Sequence, residues 1–134
     1  MPVKKLTPVL FVEQIESVLP FWTQHLGFIK TVEVPDGDKL AFVILQQGNA
    51  EVMYQSFASV DKDVPAIAAD IRKGATFLYF EVDDLEAVKA ATAGMDVYYP
   101  RTHYFLWLPR NRHQRSRRPL RHLRVLRKTA VTTF

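Results

Sequence analysis

Two runs of the chain, LTPVLFV (6–12) and TFLYFEV (76–82), are rich in Val, Phe and Tyr and read as buried strands. Each leads through an acidic or amide pair suited to capping into apolar residues at helical spacing. After the first run these are Ile15, Val18, Leu19 and Trp22; after the second, Leu85, Val88 and Ala91. Gly27 and Gly94 then end the two helices, and Pro20 inside the first is placed to kink it. Downstream of Gly27, FIKTVEV (28–34) and KLAFVILQQ (39–47) read as strands joined by a turn at Pro35-Asp36-Gly37. Gly48-Asn49 turns the chain into a further strand, AEVMYQSF (50–57).

The two strand–helix units are related in sequence as well as in pattern. Val12-Glu13-Gln14-Ile15-Glu16-Ser17-Val18 recurs position by position, by residue class, as Val82-Asp83-Asp84-Leu85-Glu86-Ala87-Val88, at an offset of 70. The first module is therefore β-α-β-β-β over 5–57. A linker over 58–74 follows, with a short helix expected around Pro65 to Lys73. The second module, 75–108, begins β-α-β, reaches a strand at MDVYY (95–99), and needs two more strands to match the first. Together they predict an α+β fold in one domain of 134 residues.

Charge splits the chain where the pattern does. Residues 1–100 carry 8 of the 18 Lys and Arg and all 14 Asp and Glu, a net of −6, whereas residues 101–134 carry the other 10 basic residues and no acid. The overall +4 thus averages an acidic body and a basic tail. With no Cys, thiolate nucleophiles, disulfides and Cys-ligated zinc are excluded. The N-terminal apolar run is too short for a signal peptide and nothing reaches membrane-spanning length, so a cytoplasmic protein with no membrane partner is expected. His25, His103, His113 and His122 form no H-x-H or H-x3-H pair and no Ser-His-acid set, which leaves nucleophilic catalysis without support.

The stretches TPVLFVEQIESVLPFWTQHLGF, AEVMYQSF and FLYFEVDDLEAVKAA resemble the glyoxalase/bleomycin-resistance/extradiol-dioxygenase family, the vicinal oxygen chelate proteins, over roughly residues 5–105. The resemblance implies paired βαβββ modules whose curved mixed sheet encloses a cavity, commonly completed by a dimer partner. It also implies a divalent metal held by His and Glu, one ligand from the first strand and one from a later strand of each module. On the strand–helix junctions those positions fall at Thr7 and Phe77, which supply no imidazole, and near Glu51 or Met53; no Glu follows Glu86. Glu51 is the weak metal candidate, and no cofactor is expected. Strand alternation places Thr7, Val9 and Phe11 on one face, with Phe77 and Tyr79 on the equivalent face of module two, joined by Phe42 and by Met53 or Gln55. An ordinary core is one reading of that aromatic face. A metal-free ligand cavity of the sequestering, bleomycin-resistance kind is the other, with a small organic ligand and a homodimer as partners. A metal-dependent lyase or dioxygenase of the same family, and a basic-tailed nucleic-acid-binding protein, remain as alternatives.

The tail departs from the family pattern. Members close the second module approximately as F-Y-G-x-x-E-I-x-x-R-D-P-x-G-x-x-x-x-F, whereas this chain reads YYPRTHYF (98–105) and then LWLPRNRHQRSRRPLRHLRVLRK, which is atypical over 109–134. If one extra base followed the codon of Phe105, the original codons can be read back from the two last bases of one residue and the first of the next. Trp107 followed by Leu108 must then give Gly. The other residues permit YGSREIGIRDPAGHYVTFAFF, the family ending in register. The sequence therefore predicts a frameshifted ending whose original strand pair is lost, leaving an open sheet edge that favours a dimer. HYFLWL (103–108) stays strand-like, and LRHLRVLRK (120–128), with Leu120, Leu123 and Leu126, is expected either as a solvated segment or as an amphipathic cover for that edge. With no recognised nucleic-acid motif and an acidic body, a nucleic-acid partner is disfavoured.

Overall fold

The structure is a computed structural model that describes residues 1–73, 77–95, 97–98, 105–107, 124–126 and 129–133. It divides into two compact units, Met1–Lys73 and Gly74–Phe134. The architecture is α+β, with a mixed β-sheet in each unit.

In the first unit, β1 (Val9–Val12), β2 (Ile29–Asp36), β3 (Lys39–Gln47) and β4 (Ala50–Ser56) form a sheet in the order β1-β4-β3-β2. β1 runs parallel to β4, and the other two pairings are antiparallel. Alternation along the strands buries one face: Leu10, Val12, Val43, Leu45, Val52 and Tyr54 are each at most 4% exposed. Ile15, Val18, Phe21 and Trp22 are buried in the same core. Trp22 Nε1 donates to Tyr54 Oη at 3.0 Å, and the Trp22 ring meets Phe28 edge-on with centroids 4.8 Å apart. Burial of side chains of this size contributes about 1.5–3 kcal/mol each.

The helix expected over Ile15 to Trp22 is broken. It consists of a 3-10 turn, Ile15–Ser17, and a π-helical turn, Phe21–His25, closed by Leu26 N donating to Phe21 O at 3.0 Å. Pro20, at the N-cap of the second piece, has no N–H to donate, and its ring would crowd the carbonyl four residues back. The turn at 35–37 also moves. β2 runs on through Pro35, where the β2–β3 register shifts, and the connection is Gly37-Asp38 with Gly37 at φ +65°. Proline is tolerated there because β2 is an edge strand and the ladder is already irregular.

The linker holds more helix than expected. α1 (Phe57–Asp63) is capped by Ser56, whose hydroxyl accepts from Ser59 N, and two 3-10 turns, Pro65–Ile67 and Asp70–Arg72, follow it.

The second unit contains β5 (Phe77–Glu81), α2 (Leu85–Ala91), β6 (Val97–Tyr98), β7 (Phe105–Trp107), β8 (Arg124–Leu126) and β9 (Thr129–Thr133). α2 is capped by Asp84, which accepts from Glu86 N and Ala87 N, and Gly94 follows it at φ +84°. The sheet order is β5-β9-β7-β6, with β8 paired to β9. This repeats the slot order of the first unit, in which the first strand lies beside the last, but the last strand is reversed. β9 is antiparallel to β5 and parallel to β7, whereas β4 is parallel to β1 and antiparallel to β3.

The tail contributes two strands to this sheet. Residues 124–126 and 129–133 are paired strands, which the sequence reading did not assign there: β9 lies beside β5, and β8 pairs with β9. The charge block ends at Lys128, and the β-branched Thr129, Val131, Thr132 and Thr133 that follow favour a strand. The remaining tail positions, including Leu120 and Leu123, lie outside the described residues.

Candidate functional site

The face of the first sheet opposite the core carries the candidate residues in rows. Register places Phe11 beside Gln55, Gln55 beside Phe42, and Phe42 beside Val34. The next row is Val9, Met53, Ile44 and Val32. At the end of the face, Thr7 Oγ1 donates to Glu51 Oε1 at 2.9 Å, and Glu51 pairs with Gln46 across the ladder. Phe11, Phe42, Ile44, Met53 and Gln55 are half-buried, while Val9, Val32 and Val34 are 40–45% exposed. This is an apolar face that the first unit leaves open, opposite a face that is closed.

Six of the eight sequence-nominated cavity residues, Thr7, Val9, Phe11, Phe42, Met53 and Gln55, are thus brought together on one face. Phe77 and Tyr79 occupy alternate positions of β5 in the other unit, and their side chains lie outside the described residues. Sequence reasoning missed Ile44, although it lies two residues after Phe42 in KLAFVILQQ and shares its parity. It also missed the contribution of α1, whose signal was Ser56 as a capping residue before Phe57 and Val60.

α1 turns the Phe42–Gln55 end of the face into an open pocket of about 400 Å³, walled by Val34, Phe42, Gln55, Ser59, Lys62 and Asp63 among others. Gln55 Nε2 donates to Ser59 Oγ at 3.0 Å, and Ser59 Oγ donates to Asp63 Oδ2 at 3.2 Å. Lys62 Nζ meets Asp36 Oδ2 at 2.6 Å on the rim, and that carboxylate raises the lysine's pKa. One aromatic ring, Phe42, beside a few fixed polar groups, at this size, has room for a small organic ligand.

The opposite end of the face carries Glu51, the metal candidate. The Glu51 side chain is only 8% exposed, and both its oxygens are taken: Oε2 by Lys5 Nζ at 2.5 Å and Oε1 by Thr7. Lys5 first and Thr7 second hold its carboxyl below the usual carboxylate range. A divalent ion needs several convergent donors. Among the described residues no group of three or more His, Cys, Asp or Glu stands close enough to hold one. Thr7 brings a hydroxyl that is already donating, and Phe77 brings no donor, so these two positions do not fit the metal that the resemblance implies. Asp96, the one acid after Glu86, and His103, His113 and His122 lie outside the described residues; His25 ends the π-helical turn. No described helix is long and apolar enough to cross a membrane.

Comparison with known proteins follows the architecture. No curated protein sequence is matched by the chain. Among solved structures, it is similar to a glyoxalase/bleomycin resistance protein/dioxygenase from Nocardioides at 13% identity, covering 81% of this chain and 78% of that one, with a TM-score of 0.50. It is similar to a lactoylglutathione lyase from Agrobacterium tumefaciens at 15% identity, covering 82% and 90%, with a TM-score of 0.51. A virulence protein from Salmonella typhimurium gives 15% identity, 82% and 92% coverage, and a TM-score of 0.50. At such identities the likeness is one of fold. The family model for the Glyoxalase/Bleomycin resistance protein/Dioxygenase superfamily matches residues 6–105, and the match stops where the codon reading places the shift of frame. With most of its length matched, the chain belongs to the glyoxalase/bleomycin resistance protein/dioxygenase superfamily.

Proposed function

We propose that this protein binds a small, flat organic molecule on the open face of the first sheet, without a divalent metal and without breaking a bond in the ligand. The observation that supports this most is the double row Phe11–Gln55–Phe42–Val34 and Val9–Met53–Ile44–Val32, an apolar surface left open and ending in a pocket with oriented polar groups. Phe42 offers a ring face for stacking. The Gln55–Ser59–Asp63 chain supplies hydrogen-bonding groups already held in place, which reduces the ordering cost of binding. Retention in place of reaction is supported at the other end of the face, where Glu51 has both oxygens hydrogen-bonded, to Lys5 and Thr7, and no group of three acidic or imidazole donors forms with it among the described residues. Phe77 and Tyr79 belong to the other unit, and the reading does not depend on them.

A thermal-shift screen with planar aromatic compounds tests the reading, because a ligand bound only by the native state raises Tm. A compound that stabilises the protein should bind the Phe42→Ala variant about tenfold more weakly, the loss expected for stacking worth about 1.4 kcal/mol. A hit whose affinity is untouched by Phe42→Ala, or turnover of the hit with added divalent metal, would overturn it.

A further inference from the structure

We propose that Lys5 is a tethered cation that takes the place beside Glu51 where a divalent ion would sit, and so keeps metal off this end of the face. This goes beyond the ligand-binding reading and does not rest on it. Lys5 continues the odd-numbered series of Thr7, Val9 and Phe11, and the strand pairing is extended towards it by Met53 N donating to Pro8 O at 3.0 Å. Extended alternation therefore brings its long stem to the edge that carries Thr7 and Glu51. The ammonium reaches Glu51 Oε2 at 2.5 Å while its own side chain remains 54% exposed. The carboxylate it meets is 8% exposed and gives its other oxygen to Thr7.

The arrangement has two effects on a metal. It ties both carboxylate oxygens into hydrogen bonds that a metal would have to disturb, and it fixes a positive charge within contact distance of where a second, divalent charge would have to stand. A lysine suits this role, being a compact charge on a flexible stem that needs no pocket of its own. The pair also removes the cost of a nearly buried, unpaired carboxylate at the edge of an apolar surface.

The experiment adds a donor and removes the cation separately. Equilibrium dialysis against Ni²⁺ and Zn²⁺ compares the full-length wild type, Thr7→His, and Thr7→His/Lys5→Met, with circular dichroism confirming that each is folded. Methionine keeps the length of the side chain and discards its charge. The expected result is no stoichiometric metal on the wild type, and binding by Thr7→His/Lys5→Met at least tenfold tighter than by Thr7→His. Adding Glu51→Gln to the double variant should abolish that binding. Equal affinity with and without Lys5, no metal on the double variant, or a divalent ion bound by the wild type and lost on Glu51→Gln would each overturn the proposal. If the double variant fails to fold, Lys5→Met alone decides it: metal binding tighter than wild type and lost on adding Glu51→Gln supports the proposal, and affinity equal to wild type overturns it.

Discussion

At the residue scale the open face is set by side-chain parity and by one ion pair. Thr7, Val9, Phe11, Phe42, Met53 and Gln55 were legible from strand alternation alone, because a period of two leaves no freedom once a strand is recognised. The partner of Glu51 was not legible, since Lys5 precedes β1 and nothing in the sequence tied it to a residue 46 positions away. That pair predicts a pH dependence. Lys5 chiefly, then Thr7, lowers the folded pKa of Glu51, so the stabilisation is complete above the carboxylate's ordinary value of about 4.3 and is lost as pH falls through the lower folded value. Lys5→Met removes the main cause. Urea midpoints should therefore show the variant less stable than wild type at neutral pH, with the gap closing in acid; a gap that persists undiminished well below pH 4 would contradict the assignment.

At the element scale, the strands up to Trp107 were legible, whereas β8, β9 and the helix boundaries were not. The first helix failed where Pro20 removes a backbone donor, an effect expected as a kink but realised as two short pieces of different winding. α1 was missed because its seven residues are too short to establish a period, while its cap was visible as Ser56. Capping strength is testable in each unit. Ser56→Ala and Asp84→Ala should each cost about 1 kcal/mol, the usual worth of such a cap, read as a lower denaturant midpoint. The Ser56 variant carries a further consequence: a loosened α1 disturbs the Ser59 and Asp63 positions and should weaken ligand binding, which Asp84→Ala, in the other unit, should leave unchanged.

At the scale of the whole molecule, the paired modules were legible from the repeat at 12–18 and 82–88, and the family match over 6–105 agrees with it. The direction of the last strand was not legible. β9 occupies the slot that the first unit gives to β4, yet runs the opposite way. We propose that a chain read one base out of step has lost the family's last strands, and that the β-branched segment of β9 stands in their place beside β5. The coding sequence checks this. Deleting one base near codon 106 should restore an Arg-Asp-Pro-x-Gly ending, and the restored protein should melt at a higher temperature; a coding sequence that yields no such ending in any frame would contradict it. The central claim, however, is that the open face of the first unit holds the ligand, and methyl-resolved NMR tests it most directly. A compound selected by thermal shift should perturb the methyl signals of Met53, Ile44 and Val9 and leave those of Val43, Leu45 and Val52, on the closed face, in place. Perturbations confined to the closed face or to the second unit would contradict the account.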